Sequence, residues 1–222
     1  MAERSPSPLL TVDPEGVAWI TFADPERRMN VLDEGVMRRL GEHVQALEER
    51  AREGAVRAVV VFSGKPDSFI AGADVEAIAG IEGPADGEAK ARLGQEIFQS
   101  LGRLPVPTVA AVHGVCLGGG LELSLACRHR VASSAAGTRL GFPEVQLGLL
   151  PGWGGTTLLP RLIGVRAALD LLLTGRQVGA SSARRSGLSS RLEVTSAAAF
   201  RSTVGSTSSV MMLPFSAETL PD

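Results

Sequence analysis

Two glutamates, Glu122 and Glu144, stand next to small residues that leave the peptide backbone accessible. Segment 118–122 reads GGGLE, and segment 141–144 reads GFPE. Two carboxyl groups can share acid–base work, and uncovered backbone N–H groups stabilise an oxygen atom that gains negative charge. This combination predicts an enzyme that transfers protons beside a carbonyl group.

A third segment, 69–75, reads FIAGADV and follows a β-branched run and a short turn. Its small side chains would let backbone N–H groups face a ligand. The segment also fits an ordinary strand-to-helix loop in which Asp74 caps the next helix. Glu122 has a similar alternative, because an acidic residue at a helix start complements the helix dipole. Glu144 alone also fits a surface loop, so the three segments carry weight only as a set.

The elements that must position these segments alternate between strands and helices. Short apolar or β-branched runs predict strands over 9–12, 17–22, 56–62, 108–112 and 130–132. Helical spacing of apolar residues predicts helices over 33–52, 89–104, 120–127, 155–163 and 165–173. Residues 14–16 read PEG and predict a hairpin turn between the first two strands. The alternation predicts an α/β fold.

Composition excludes several classes of function. The net charge of −2 over 222 residues gives no broad basic surface for nucleic acid or anionic membrane. No apolar run approaches the roughly 18 residues of a spanning helix, and the first residues do not resemble a secretory signal. Cys116 and Cys127 form neither a disulfide framework nor a zinc motif, so we expect a cytoplasmic protein without a metal.

The order and spacing of four segments resemble the crotonase (enoyl-CoA hydratase/isomerase) superfamily. These segments are IAGAD at 70–74, GGGLE at 118–122, PE at 143–144 and PGWGGT at 151–156. KPDSFIAGAD at 65–74, GLLPG at 148–152 and LPRLIG at 159–164 more particularly resemble the N-terminal hydratase half of the bacterial fatty-acid oxidation complex alpha subunit. The resemblance covers roughly residues 8–192 and implies a spiral of ββα units.

The resemblance also implies a role for each residue of the site. The N–H groups of Ala73 and Gly119 would form the oxyanion hole for the thioester oxygen. Glu122 and Glu144 would be the acid/base pair, with Glu122 activating a water molecule and Glu144 delivering a proton to C2. Trp153 stands where the family usually has a small residue, so we expect it to reshape the acyl pocket.

Coenzyme A would enter as part of the substrate, and the resemblance implies no other cofactor. Four further residues would border the substrate and its CoA moiety, namely Ala71, Gly72, Asp74 and Gly118. The family suggests a homotrimer or a complex with a thiolase subunit. The absence of a basic stripe disfavours the RNA binding known in some crotonase relatives.

Hydration of 2-enoyl-CoA in fatty-acid β-oxidation is the activity that the two retained glutamates favour. Double-bond isomerisation is an alternative, because one carboxyl group can shuttle the proton. A third possibility is an inactive acyl-CoA-binding protein, which the end of the chain suggests. Residues 193–222 are rich in Ser and Thr and predict a weakly ordered tail beyond a domain at 1–192. We expect the family's C-terminal helical part to be missing, through truncation or a frameshift.

Overall fold

The computed structural model describes residues 7–192, so the tail predicted at 193–222 lies outside the described residues. The strands are β1 (Leu9–Val12), β2 (Val17–Phe22), β3 (Ala58–Ser63), β4 (Ser68–Ile70), β5 (Thr108–Val112), β6 (Val115–Leu117), β7 (His129–Ser133), β8 (Arg139–Gly141), β9 (Gln177–Val178) and β10 (Ser190–Leu192). The helices are α1 (Glu34–Arg52), α2 (Val75–Ala79), α3 (Pro84–Arg103), α4 (Gly119–Ala126), α5 (Gly155–Ile163), α6 (Val165–Thr174) and α7 (Ala180–Arg185), and a 3-10 helix spans Pro143–Leu147.

Six strands form the larger sheet in the order β1-β2-β3-β5-β7-β10. The β1–β2 hairpin is antiparallel, as its PEG turn predicts, and the other pairs are parallel. Every residue of β3 and β5 is buried, and their alternate apolar side chains belong to two separate clusters, so neither face of this part of the sheet meets solvent. Their β-branched and small side chains suit such double burial.

Helix α1 shows how the sequence fixes the elements that cover the sheet. The Asp33 side chain accepts a hydrogen bond from Val36 N at 2.9 Å and so caps the helix where the sequence predicts it to begin. The apolar stripe of the helix is buried against the core, as its spacing of three and four residues predicts: Val36, Leu40, Val44 and Leu47.

The smaller sheet has the order β4-β6-β8-β9 and arises from a repeated chain path. Strands β3, β5 and β7 of the larger sheet are each followed at once by a short strand of the smaller sheet, and then by helix. This succession of two strands and a helix confirms the α/β class and the spiral of ββα units. It also places β4, β6 and β8 side by side and parallel.

Two sequence predictions need correction at this level. Helix α3 begins at Pro84 rather than at residue 89, because its first turns are polar and its buried residues begin only at Gly94. The three-residue strands β4, β6 and β8 were not predicted, since so short a segment carries too little periodicity. Within residues 7–192, no helix is both long enough and apolar enough to cross a membrane.

Candidate active site

Parallel pairing of β4, β6 and β8 brings three loops to one edge of the smaller sheet. Parallel strands end at the same edge, so the segments that follow them must lie together. Ala73 follows β4, Gly119 follows β6 and Glu144 follows β8. The topology therefore gathers the three segments that were singled out in the sequence.

Glu122 lies in the first turn of α4 and is only 2% exposed. Its Oε1 accepts two backbone hydrogen bonds, from Trp153 N at 2.7 Å and from Gly155 N at 2.8 Å. Burial raises the pKa of Glu122 to about 7 and the charge of Glu144 adds to the rise, while the amides of Gly155 and Trp153 oppose it. Glu122 can therefore take up and release a proton near neutral pH.

Glu144 lies in the 3-10 helix and is partly buried. Burial raises the pKa of its carboxyl group, and its own backbone N–H partly offsets that rise. Its Oε2 is buried and has no hydrogen-bond partner among the residues that the structure describes. A buried oxygen without a partner is costly, so this atom is suited to meet a ligand or its proton.

Gly118 forms the turn between β6 and α4. Its φ of +50° lies in a region that residues with a side chain rarely adopt. A Cβ atom at this position would lie 2.5 Å from Oε1 of Glu144. The N–H of Gly118 also donates to Gly141 O at 3.0 Å, which ties the end of β6 to the end of β8. The glycine thus permits both the turn and the approach of the Glu144 carboxyl group.

The backbone N–H groups of Ala73 and Gly119 lie close to each other. Leu32 bonds with the neighbours of Ala73, donating to Gly72 O at 2.9 Å and accepting from Asp74 N at 3.2 Å, and no hydrogen bond from Ala73 N itself reaches a described residue. Gly119 is the first residue of α4, where an N–H has no acceptor within the helix. A Cβ atom on Gly119 would lie 3.5 Å from Ala73 N. The two donors can therefore serve one oxygen atom.

Both glutamates and the two residues that carry these amides, Ala73 and Gly119, line one cavity of about 450 Å³. Five of the eight residues proposed from the sequence line it: Ala73, Asp74, Gly119, Glu122 and Glu144. Much of the remaining wall is apolar, including Leu32, Met37, Ile78, Ile81, Leu149 and Leu150. A largely apolar cavity with a few convergent polar groups is typical of a small-molecule site.

The other three residues, Ala71, Gly72 and Gly118, are not among those that line this cavity, and their predicted contacts with the substrate and its CoA moiety stay predictions. Ala71 donates its N–H to Asn30 O at 2.9 Å, which holds the loop after β4. Gly72, with a φ of +123°, packs against the turn before α4, since a Cβ atom there would lie 3.3 Å from Leu117 O. Gly118 supports Glu144 as described above. These residues shape the site through the backbone.

Asp74 has partners within the protein. Its side chain accepts from Glu76 N at 3.0 Å, so it caps α2, the alternative that the sequence left open. Its Oδ2 also lies 2.9 Å from Nη2 of Arg27. Asp74 therefore borders the cavity as half of an ion pair, and its predicted contact with CoA stays a prediction.

Sequence reasoning missed the backbone clamp on Glu122. The amides of Trp153 and Gly155 belong to a loop 31 and 33 residues away along the chain. Backbone donors have no residue signature, and the run of glycines at 152–155 was the only available signal. Trp153 lines the cavity, and its expected effect on the acyl pocket stays a prediction.

Comparison with known proteins adds a second line of support to the geometry. A family model described as enoyl-CoA hydratase/isomerase matches residues 13–210. The chain is similar to the fatty acid oxidation complex subunit alpha of Aliivibrio fischeri, with 47% identity over 178 residues, which cover 80% of this chain and 26% of that protein. It spans about a quarter of the length of this curated relative.

Two solved structures resemble the described fold. An enoyl-CoA hydratase from Bacillus anthracis shares 34% identity at a TM-score of 0.74, covering 83% of this chain and 70% of the other. An enoyl-CoA hydratase from Mycobacterium smegmatis shares 28% identity at a TM-score of 0.79, covering 91% of this chain and 75% of the other. The matches extend over the ββα units that carry the cavity.

Proposed function

We propose, on the premise that this chain belongs to the enoyl-CoA hydratase/isomerase family, that it hydrates 2-enoyl-CoA thioesters to 3-hydroxyacyl-CoA. The observation that carries the proposal is the meeting of Glu122 and Glu144 at one cavity, beside the adjacent amides of Ala73 and Gly119. Two carboxyl groups and a pair of backbone donors match the needs of this reaction.

The amides of Ala73 and Gly119 would receive the thioester oxygen. When water adds to C3, electrons move through the double bond and the oxygen gains enolate character. Two fixed N–H donors stabilise that charge, each by roughly 3 kcal/mol. Gly119 is the first residue of α4, so its N–H would also add the favourable end of that helix dipole.

The two glutamates would handle the protons. One oxygen of Glu122 is occupied by two amides, so its other oxygen would accept a proton from the attacking water. The water oxygen forms the bond to C3, and C2 receives a proton from the Glu144 carboxyl group as the enolate collapses. The addition consumes water alone, and exchange with solvent restores both carboxyl groups.

The proposed setting is fatty-acid β-oxidation. It is supported by the curated relative, which is named as the alpha subunit of a fatty acid oxidation complex. We propose an acyl-CoA thioester as substrate, with coenzyme A as its carrier and no further cofactor. Assembly as a homotrimer or with a thiolase subunit stays a prediction.

The test is the absorbance of the conjugated enoyl thioester when crotonyl-CoA is added to the purified protein. We expect the absorbance to fall with the native sequence and to stay constant with Glu144→Gln. Calorimetry with CoA would establish that the variant still binds. Loss of absorbance at equal rates with both proteins would contradict the proposal.

Isomerisation is the second candidate, because the unpartnered Oε2 of Glu144 could move a proton between two carbons without help. The same absorbance measurement separates isomerisation from hydration. An isomerase would increase the absorbance when given a 3-enoyl-CoA and would not consume crotonyl-CoA. CoA binding without either change would instead indicate a binding protein.

A further inference from the structure

The indole of Trp153 is wedged between two helices at the catalytic end of the cavity. A Cβ atom on Gly94 of α3 would lie 2.3 Å from both Cδ1 and Nε1 of the indole. A Cβ atom on Gly119 of α4 would lie 2.5 Å from Cζ3, on the other ring of the indole. The indole therefore fills a slot that only glycines leave open.

The three atoms nearest to a Cβ on Gly94 all belong to the Trp153 indole. Gly94 lies inside α3, where glycine disfavours the helix relative to alanine. Phe98, one turn further along α3, meets the indole edge to face, with ring centroids 5.6 Å apart and planes at 82°. Helix α3 thus provides both a slot and an aromatic wall for one side chain.

The same residue contributes a backbone group to the site. Trp153 N donates to Oε1 of Glu122 at 2.7 Å, and Gly155 N donates to the same oxygen at 2.8 Å. The loop is also held from outside, since Gln95 donates its side-chain amide to Gly152 O at 2.7 Å. The 152–155 loop therefore contacts α3 on one side and Glu122 on the other, so its position relative to α3 sets its distance from Glu122.

We propose that Trp153 is a positioning residue: its wedged indole sets the 152–155 loop so that two backbone N–H groups hold the Glu122 carboxyl group in its working orientation. The inference rests on the proposed role of Glu122 in hydration. It adds a role for the Trp153 indole, which packs against α3 and thereby fixes the backbone N–H groups that bind Glu122. A shift of about 1 Å in a catalytic group can cost roughly 100-fold in rate.

The direct test follows the Gly155 amide proton by NMR across pH 5 to 9. An N–H that donates to a carboxyl group changes its chemical shift when that group ionises, so the Gly155 signal should titrate near pH 7, where burial places the pKa of Glu122. In Trp153→Ala the titration should lose more than half of its amplitude, because the loop leaves the carboxyl group. Retention of the full amplitude would overturn the proposal.

The other tryptophan supplies a matched control. Trp19 lies in a separate apolar cluster and bonds to Asp13 through its indole nitrogen, away from the cavity. Trp19→Phe should leave the Gly155 titration unchanged. Equal loss in Trp19→Phe and Trp153→Ala would reduce the effect to general destabilisation and overturn the proposal.

Gly94→Ala approaches the same contact from the helix side. Its methyl group would overlap the indole, although alanine favours the helix, so the protein should fold and yet lose about 100-fold in kcat. In the Trp153→Ala background the same change should have little further effect, because the overlap is gone. Additive losses would overturn the proposal.

The NMR titration does not depend on turnover, so an inactive native protein would contradict the proposed function alone.

Discussion

The segment around Glu122 and the segment around Glu144 deliver their carboxyl groups to the same cavity in different ways. Glu122 is 2% exposed and has one oxygen fixed by two backbone N–H groups from a distant loop. Glu144 is less buried, is held by close approach to Gly118, and has an oxygen without a partner in the described part of the chain. One carboxyl group is clamped by donors, and the other is confined by shape.

The difference shows how one fold can give two similar side chains different tasks. A clamped carboxyl group presents a single free oxygen in a fixed direction, which suits the orientation of a water molecule. A carboxyl group without internal partners must find its partner in the substrate, which suits proton delivery. Burial raises the pKa of both groups, so each can hold a proton at a pH where exposed glutamates are ionised.

Among changes that leave both glutamates in place, the largest expected effect comes from breaking the shape that confines Glu144. Gly118→Ala would place a methyl group 2.5 Å from Oε1 of Glu144 and strain the turn. We expect kcat for crotonyl-CoA to fall roughly 100-fold or more, as for other displaced catalytic groups. Steady-state kinetics would measure it.

A second glycine separates backbone strain from displacement of the carboxyl group. Gly54 has a φ of +76° and no atom within 4 Å of an added Cβ. Gly54→Ala should therefore lose stability but keep its kcat. If the two variants were equally active once folded, the contact between Gly118 and Glu144 would have no catalytic meaning.

A comparable effect is expected on stability, through the clamped glutamate. Because the folded pKa of Glu122 is about 7 and its ordinary value is 4.5, the folded protein binds the proton more tightly. The stabilisation is fully present below pH 4.5 and is lost as pH rises to about 7, by about 3 kcal/mol. Glu122→Gln cannot ionise, so its free energy of unfolding should lack this decline.

Urea denaturation between pH 4 and 8 would measure that difference. Glu15→Gln, in the exposed hairpin turn, is the control and should follow the native curve. If the free energy of unfolding changed with pH in the same way in the native protein and in Glu122→Gln, the raised pKa of Glu122 would be contradicted.

The smallest expected effect concerns the C-terminal end of α4. This helix carries Glu122, whereas Glu144 lies outside it. The Arg130 guanidinium donates to Cys127 O at 2.7 Å and to Leu188 O at 3.0 Å, which satisfies carbonyls beyond the helix end. Arg130→Met should lower the free energy of unfolding by about 1–3 kcal/mol. Exposed Arg139 donates to Ala136 O at 2.6 Å, and Arg139→Met should cost less than about 0.5 kcal/mol by the same urea measurement.

Much of this organisation could be read from the sequence, and the limits have a physical cause. Strands β3 and β5 are continuous β-branched or small runs, and α1 has a regular apolar stripe and its cap, so local signals sufficed. The glutamates and the small residues of the site were proposed because the order and spacing of their segments resemble the crotonase superfamily. Their convergence depends on β4, β6 and β8, which are three residues long and gain their order from neighbouring strands.

The contacts that hold the site were the least predictable part. The clamp on Glu122 consists of backbone amides, which every residue except proline can provide. The slot for Trp153 depends on Gly94, and the sequence of α3 alone shows only a glycine inside a helix, with no sign of the indole that packs against it. Both arise from elements distant in sequence, and only the packed structure brings them together.

The most direct test of the account compares kcat for crotonyl-CoA hydration among the native protein, Glu122→Gln, Glu144→Gln and the double variant. We predict that each single change lowers kcat by about 1,000-fold and that the double variant loses little more, because groups that act as a unit are not additive. Full activity in either single variant would contradict the claim that the two carboxyl groups work together.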